Sequence, residues 1–266
     1  MEDRLKEIIL NKQIEIESLI ESEKKDPAHC FEKLLSKPQK NNHSFRESLK
    51  VAGLSVIAEI KRKAPLRGEI ATIKDPAELA RSFSKAGAAA ISVSTDFKYY
   101  GGCISDLEAV ANKLDSLHPC PILRKDFIIH PYQIAEAKKA KASAVLLIAS
   151  LLNEKLEHFI KISDTLGLDA LVEVHHEDDL KRALDLGAEI IGVNNIDLKT
   201  HTLNLEVSRK LISKIPNKIV KIAQSGILSL EDAREMHALG YDGVIVGEFL
   251  LKSPDPRALI SEIGNI

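Results

Sequence analysis

The chain has 266 residues, of which 44% are hydrophobic and 4% aromatic, with no tryptophan. Its formal net charge of −2 gives no basic footprint for nucleic acid, although it excludes no small anionic substrate. The length suits one large α/β domain or two small ones, and a core of aliphatic side chains suits strands covered by helices on both faces.

The cysteines indicate a reducing compartment. Cys30, Cys103 and Cys120 are odd in number and far apart, so they form neither a disulfide framework nor a zinc motif. We therefore expect reduced thiols and a cytoplasmic protein. No secretory signal follows Met1, and no apolar run approaches the length of a membrane-spanning helix, so we expect no membrane partner. No group of histidines and carboxylates has metal-ligand spacing, and no metal is expected.

An N-terminal extension precedes a repeated pattern. Apolar residues recur at nearly helical spacing through residues 1–25, which predicts an amphipathic helix. We interpret this helix as a cover over one end of the domain rather than as a partner-binding element. Residues 26–50 predict a loop and then a short helix at about Ser44–Leu49. The predicted division is a helical extension at 1–50 and a catalytic domain at 51–266.

From Ser55 onward, short apolar runs alternate with longer amphipathic runs, the pattern of repeated βα units. Gly87, Gly187 and Gly240 follow three of the predicted helices, where a left-handed residue stops a helix. Predicted helices cover Pro76–Ala86, Ser105–Leu114, Pro131–Ala140, Asn153–Leu166, His176–Leu186, Leu205–Ile215 and Ser229–Leu239. Predicted strands cover Val56–Lys61, Ala88–Thr95, Pro121–Lys125, Ala144–Ala149, Ala170–Val174, Ile190–Asn194, Val220–Ser225 and Gly243–Val246.

Eight strands at similar intervals favour an α/β fold of the (β/α)8 TIM-barrel type with an N-terminal helical extension. An open doubly wound sheet is the alternative. Such a sheet usually carries a glycine-rich fingerprint after its first strand, and Lys61-Arg62-Lys63-Ala64-Pro65 is not one.

The first predicted strand ends with Glu59 and Lys61, which share a face because strand side chains alternate. Burying two charges is costly unless they are paired or used, so this stretch is either a buried structural pair or the wall of a polar site. Lys125 ends the third strand and Glu173 lies near the end of the fifth. In a barrel these ends meet at one mouth, and two lysines with two glutamates there suit general acid–base chemistry.

The later strands also end in polar or small residues. The sixth ends in Asn194-Asn195, the seventh in Ser225-Gly226 and the eighth in Gly247-Glu248. Loops after strands seven and eight form the usual phosphate site of this fold, which favours phosphate binding at the two glycines over a simple turn role. His175 and His176 are interpreted as a helix start.

With these residues in place, the chain resembles the indole-3-glycerol phosphate synthase family over nearly its whole length. The motifs that carry the resemblance are Ile57-Ala58-Glu59-Ile60-Lys61, Ile91-Ser92-Val93-Ser94-Thr95-Asp96, Tyr99-Tyr100-Gly101-Gly102, Leu123-Arg124-Lys125-Asp126-Phe127-Ile128, Leu171-Val172-Glu173-Val174-His175, Gly192-Val193-Asn194-Asn195 and Gln224-Ser225-Gly226-Ile227. This family of tryptophan biosynthesis closes the pyrrole ring of an anthranilate-derived deoxyribulose phosphate, with loss of carbon dioxide and water and without a cofactor.

The resemblance implies a role for each matching residue. Lys125 is similar to the general acid and Glu173 to the general base, while Glu59 and Lys61 support dehydration and Lys61 also reaches the phosphate. Asn194 would hold the substrate, and Tyr100 and Phe127 would pack against the anthranilate ring. The implied phosphate pocket consists of Ser225, Gly226 and Gly247, and Glu248 is a further implied substrate-binding residue. The implied partner is a small anionic sugar phosphate, and the oligomeric state stays open, with a monomer slightly favoured.

Four positions depart from the family pattern. Ile196 replaces an arginine whose bidentate grip an isoleucine cannot reproduce. Ala64 and Leu66 replace small polar residues in the first loop, and Gln224 replaces a glutamate. Two alternatives therefore stay open: an isomerase or epimerase acting on another sugar phosphate, and a decayed barrel kept as a scaffold.

Overall fold

A computed structural model describes residues 4–25, 31–40, 44–65, 67–114, 120–198, 200 and 202–266. Cys30 and Leu66 lie outside the described residues. Eight parallel strands pair in chain order and close into a barrel, since the first strand also pairs with the last. The strands are β1 (Ser55–Ile60), β2 (Ala90–Ser94), β3 (Ile122–Lys125), β4 (Ala144–Ile148), β5 (Asp169–Val174), β6 (Ile190–Asn194), β7 (Val220–Gln224) and β8 (Gly243–Val246). The predicted TIM barrel is confirmed.

The barrel interior is built in layers, to which alternate strands contribute one inward side chain each. The strand register around the barrel defines one buried aliphatic layer, which consists of Ile57, Leu123, Leu171 and Ile222. The residues two positions later on the same strands form the next layer toward the carboxyl ends: Glu59, Lys125, Glu173 and Gln224. On these four strands, the aliphatic layer is thus followed directly by a layer of polar side chains.

An outer helix follows each barrel strand and covers it. These helices are Pro76–Lys85, Ile104–Lys113, Pro131–Lys139, Leu156–Thr165, Glu177–Asp185, Glu206–Leu211, Leu230–Leu239 and Pro256–Gly264. The predicted helix-stopping glycines Gly87, Gly187 and Gly240 all have positive φ, as a left-handed stop requires. The sequence did not predict the last outer helix, Pro256–Gly264.

Several predicted bounds were wrong for local reasons. The helix predicted over Leu205–Ile215 ends in a 3-10 turn, Ile212–Lys214, because Ile215 precedes a proline and is extended. The helix predicted from Asn153 begins instead at Leu156, after a 3-10 turn over Asn153–Lys155. Ser225 is not part of β7, since its φ of 63° ends the strand.

Some short elements were not predicted at all. A two-stranded hairpin joins Lys63–Ala64 to Gly68–Glu69 in the loop after β1. The short helix predicted at about Ser44–Leu49 is present as Ser44–Ser48. The unpredicted short helices are Phe31–Leu35, Phe97–Tyr100, Ala149–Leu152 and Glu248–Lys252. Three of them lie in loops at the carboxyl ends of the strands, where local sequence patterns are weakest.

The predicted N-terminal helix is present and spans Arg4–Lys25. Ile8, Lys12 and Ile16 are buried on one side, whereas Leu10 and Ile14 are exposed on the other. Ile8 reaches the cavity at the carboxyl ends of the strands. The division of the chain at residue 50 stays a prediction. Across the described residues, no helix combines the length and the apolar character needed to cross a membrane.

Candidate active site

A cavity of about 180 Å³ opens at the carboxyl ends of the strands. A smaller space of about 30 Å³ adjoins this cavity and is lined by Glu173. The residues that line both spaces include Tyr100, Lys125, Phe127 and Asn194. The structure therefore brings all eleven residues proposed from the sequence to one mouth. Those that line the larger cavity are Glu59, Lys61, Tyr100, Lys125, Phe127, Asn194, Ser225, Gly226, Gly247 and Glu248.

Glu59 lies between two ammonium groups. Its Oε2 atom is 2.5 Å from Lys61 Nζ, and its Oε1 atom is 3.3 Å from Lys125 Nζ. Burial would raise the pKa of Glu59, but the charges of Lys61 and Lys125 outweigh burial and lower it to about 2. Burial would likewise lower the pKa of Lys125, but the Glu59 carboxylate raises it above its ordinary value. Glu59 and Lys125 are both ionised at neutral pH. Glu59 is buried, Lys61 and Lys125 are half-buried, and all three side chains line the cavity.

Two aromatic rings form one side of the cavity. The rings of Tyr100 and Phe127 are 6.0 Å apart between centroids and tilted by 36°. Lys125 Nζ lies 5.3 Å from the centroid of the Tyr100 ring. Burial raises the pKa of Tyr100 to about 12, so the phenol is neutral. The arrangement presents a flat apolar surface directly beside an ammonium group, which suits an aromatic ligand that carries negative charge.

Glu173 and His175 form a buried pair that sequence reasoning missed. Glu173 Oε1 is 3.4 Å from His175 Nε2, and the two side chains are 2% and 4% exposed. Within the described part of the chain, Glu173 Oε2 and both ring nitrogens of His175 have no hydrogen-bond partner. The interpretation as a helix start is confirmed for His176, which is the N-cap residue of the helix that begins at Glu177, and was wrong for His175. Side chains alternate along a strand, so His175 lies on the same side as Glu173. This alternation was the sequence signal that could have predicted their contact.

The two asparagines after β6 have different surroundings. Asn194 lines the cavity, and its Oδ1 atom accepts a hydrogen bond of 3.0 Å from the backbone N–H of Ile196. Asn195 instead donates to the carbonyls of Gln224 and Ser225, which ties β6 to β7. Ile196 pairs with Leu203 in an antiparallel bridge, and both side chains line the cavity. The position that the family pattern fills with arginine is therefore part of an apolar wall.

Neighbouring side chains closely approach both glycines of the predicted phosphate pocket. A Cβ atom on Gly226 would lie 2.8 Å from methyl carbons of Leu203 and Leu205, and Gly226 has a φ of 82°. A Cβ atom on Gly247 would overlap Glu59 Oε2 and lie 3.1 Å from Lys61 Cε. These close approaches leave room for a ligand beside the backbone only while the residues are glycine.

Gly247→Ala is therefore expected to disrupt the contact between Glu59 and Lys61, because the added methyl group occupies the position of the carboxylate oxygen. We expect a lower melting temperature and a loss of about tenfold or more in kcat/KM, measured by thermal unfolding and steady-state kinetics. Gly264→Ala is the matched control, since a Cβ atom there meets nothing within 4 Å. Equal behaviour of the two variants would contradict this account of Gly247.

Glu248 carries a negative charge, which would repel the phosphate at the predicted phosphate pocket. Burial would raise the pKa of Glu248, but hydrogen bonds from Lys252 and Arg67 outweigh burial and lower it. Arg67 Nη1 is 2.8 Å from each carboxylate oxygen of Glu248, and Lys252 Nζ is 2.7 Å from one of them. Arg67 thus adds a guanidinium to the cavity wall that the sequence reasoning did not include.

Gln224 completes the polar layer with Glu59, Lys125 and Glu173. Its side chain is 1% exposed, and neither Nε2 nor Oε1 has a hydrogen-bond partner among the residues that the structure describes. A buried amide without partners is costly, so a ligand that satisfies it binds more favourably. The sequence identified this position only as a departure from the family pattern. The other cavity residues that sequence reasoning missed come from loops, from the extension and from β8: Ile8, Pro65, Leu198, Leu203, Ile227, Leu228 and Ile245.

The closed barrel and the ionised cluster at its mouth define a (β/α)8-barrel enzyme of the acid–base type. A family model described as indole-3-glycerol phosphate synthase matches residues 5–263. The chain is 41% identical over 266 residues to the indole-3-glycerol phosphate synthase of Opitutus terrae, covering 98% of each protein. It is 45% identical over 218 residues to the enzyme of that name from a Nocardioides species, covering 82% of each. The chain belongs to the indole-3-glycerol phosphate synthase family, a family of carboxy-lyases of tryptophan biosynthesis.

The resemblance inferred from the motifs is confirmed by these similarities, which do not favour an isomerase or a decayed scaffold. Among solved structures, thiamine phosphate pyrophosphorylase from Pyrococcus furiosus superposes with a TM-score of 0.58 at 19% identity, covering 79% of this chain and 93% of that protein. At that identity the similarity concerns the barrel fold alone.

Proposed function

We propose that this chain converts 1-(2-carboxyphenylamino)-1-deoxyribulose 5-phosphate to indole-3-glycerol phosphate, carbon dioxide and water. Membership of the family supports this activity. The observation that carries it is Lys125, an ionised and largely buried ammonium that lies beside Glu59 and over the Tyr100 ring. This is where a substrate with an aromatic ring and a reacting carbonyl group needs a proton donor.

Ring closure joins a carbon of the aromatic ring to the substrate carbonyl carbon. Negative charge develops on the carbonyl oxygen as this bond forms, and a proton delivered by Lys125 neutralises it. Loss of carbon dioxide then restores the aromatic ring. The pKa of Lys125 is raised by Glu59, so the side chain holds its proton until the reaction draws it away. The Tyr100 and Phe127 rings give the substrate ring a surface to pack against.

Loss of water completes the pyrrole ring and needs a base for one proton and an acid for the leaving hydroxyl. Glu173 is the base in this proposal, since it is a buried carboxylate with one oxygen free of hydrogen bonds to described residues. Glu59 and Lys61 support the same step as a joined acid–base pair. A buried site excludes competing water and strengthens these interactions.

Substrate binding divides between the two ends of the cavity. Asn194 holds the middle of the substrate, and Ser225, Gly226, Gly247 and Glu248 surround its phosphate. Lys61 also reaches the phosphate in this proposal, because its side chain lies against Gly247. Glu248 contributes by holding Arg67 at that end, since its own negative charge does not bind an anion.

The remaining expectations belong to the same proposal. The extension at residues 1–50 and the barrel at 51–266 form the functional unit, the partner is a small phosphorylated substrate, and the enzyme works in the cytoplasm. The oligomeric state stays open, with a monomer slightly favoured. No cofactor enters any of the steps above.

Incubation with 1-(2-carboxyphenylamino)-1-deoxyribulose 5-phosphate is expected to produce the fluorescence of the indole product. Mass spectrometry identifies the product as the substrate less one carbon dioxide and one water. A matched reaction without enzyme gives the background rate. A wild-type rate equal to that background, at high enzyme concentration, would refute the proposed activity.

A further inference from the structure

A lysine of the N-terminal helix is buried in a group of carboxylates at the barrel mouth. The side chain of Lys12 is 2% exposed, and its Nζ atom lies 2.9 Å from Asp96 Oδ2 and 2.9 Å from Asp126 Oδ1. A third contact of 2.6 Å joins it to Glu15 of its own helix. Asp96 follows β2 and Asp126 follows β3, so one ammonium connects the extension to two loops of the barrel.

Each of these two aspartates supports the backbone next to one ring of the aromatic pair. Asp96 Oδ1 accepts a hydrogen bond of 2.7 Å from the backbone N–H of Tyr99 and so caps the short helix that ends at Tyr100. Asp126 Oδ1 accepts a hydrogen bond of 2.8 Å from the backbone N–H of Phe127. The segments that carry the two rings are therefore joined to each other through Lys12.

The charges make this connection strong. Asp126 also pairs with Arg124 at 3.1 Å and accepts a hydrogen bond from Thr95. Asp96 is fully buried, and among the described residues the cation that the structure places against it is Lys12. A buried carboxylate that loses its cation must take up a proton or move toward water. Loss of Lys12 would thus release the loop that carries Tyr100 more than the loop that carries Phe127.

We propose that Lys12 is a positioning residue that sets the spacing of the Tyr100 and Phe127 rings and thereby the binding of the substrate's aromatic ring. It acts through Asp96 and Asp126 and does not touch the substrate. The identity of the ring as a 2-aminobenzoate rests on the proposed function, whereas the spacing of the two rings does not. The phosphate end of the cavity lies on strands β7 and β8, to which Lys12 makes none of these contacts.

Lys12→Met tests this role, because methionine retains most of the apolar stem and removes the charge. Two probes separate the two ends of the cavity: 2-aminobenzoate, followed by its fluorescence, and inorganic phosphate, followed by calorimetry. We expect the dissociation constant of 2-aminobenzoate to rise about tenfold and that of phosphate to change less than about twofold. In turnover, KM for the full substrate rises by a similar factor, with a smaller change in kcat.

Lys98→Met is the matched control. Lys98 also connects the Tyr100 loop to the N-terminal helix, through a contact of 3.0 Å with Glu7, but its side chain is 46% exposed. We expect this variant to bind both probes as the wild type does, since an exposed ion pair contributes little.

A second variant covers the case in which Lys12→Met does not fold. Lys12→Met combined with Asp96→Asn removes the unpaired charge, while the asparagine oxygen still caps the short helix. This protein is expected to fold and to bind 2-aminobenzoate weakly, because the ammonium contact of Lys12 with both loops is still absent.

Three outcomes overturn the inference. They are wild-type affinity for 2-aminobenzoate in a folded variant, equal weakening of both probes, and no binding of 2-aminobenzoate by the wild type. If the wild type binds both probes but does not turn over the deoxyribulose phosphate, the proposed function fails, and the binding comparison still decides the role of Lys12.

Discussion

Lys125→Met is expected to lower kcat by about a hundredfold or more, the usual contribution of one positioned proton donor. KM is expected to change little, because an acid acts mainly in the transition state. The variant should fold, since methionine keeps most of the volume and Glu59 retains its contact of 2.5 Å with Lys61. Steady-state kinetics measure the effect, and the melting temperature serves as the folding control.

Lys61→Met provides the comparison for this prediction. A phosphate contact exists in the ground state and in the transition state alike, so its loss should raise KM clearly. Loss of the proposed role of Lys61 in dehydration should lower kcat as well. Lys61 and Lys125 both contact Glu59, and their side chains are 17% and 16% exposed. A difference between the kinetics of the two variants therefore reflects the roles of the lysines rather than their burial. A Lys125→Met enzyme with nearly wild-type kcat would falsify the assignment of the acid.

Glu59→Gln is expected to shift the pH dependence of kcat. In the wild type, burial lowers the pKa of Lys125 and the Glu59 charge is the largest opposing influence, with a net rise. Without the carboxylate the pKa of Lys125 falls, so the acid loses its proton at lower pH. The alkaline limb of the rate profile should therefore move toward neutral pH, and kcat at its optimum should fall by about a hundredfold. Rates measured across the alkaline range test this.

The same substitution affects stability with a defined sign. Glu59 has a folded-state pKa of about 2, below the value of about 4.3 expected in the unfolded chain. Its ionised form therefore stabilises the fold above about pH 4.3, and this contribution disappears as the pH falls toward 2. The loss of unfolding free energy in Glu59→Gln should be about 3 kcal/mol at neutral pH and should shrink in acid.

Glu157→Gln is the matched control, because Glu157 is an exposed partner of Lys161 on an outer helix. Its effect on stability should be small at any pH, because an exposed ion pair contributes little. An unchanged alkaline limb in Glu59→Gln would show that Glu59 does not control the proton of Lys125. A stability loss that grows in acid would contradict the charge pairing itself.

The sequence by itself determined the barrel and most of its mouth. Strand positions follow from short apolar runs, and the period of two along a strand places Glu59 and Lys61 on one face. Chain order then places strand ends such as Lys125, Glu173 and Asn194 at one rim, because parallel strands of a barrel share one carboxyl end. These are local properties of the chain, which is why the predicted strands and site residues could be identified without coordinates.

Tertiary structure alone decided which of these groups meet and which other residues join them. Glu59 and Lys125 are brought to 3.3 Å by the register and closure of the barrel, which local periodicity does not encode. The loop residue Arg67 reaches Glu248 through the hairpin after β1, a turn that no sequence pattern predicted. Lys12 has the sequence context of a solvated charge on an amphipathic helix. It is buried because Asp96 and Asp126, far along the chain, face it across the mouth. Their charges, together with that of Glu15, offset the cost of removing an ammonium from water.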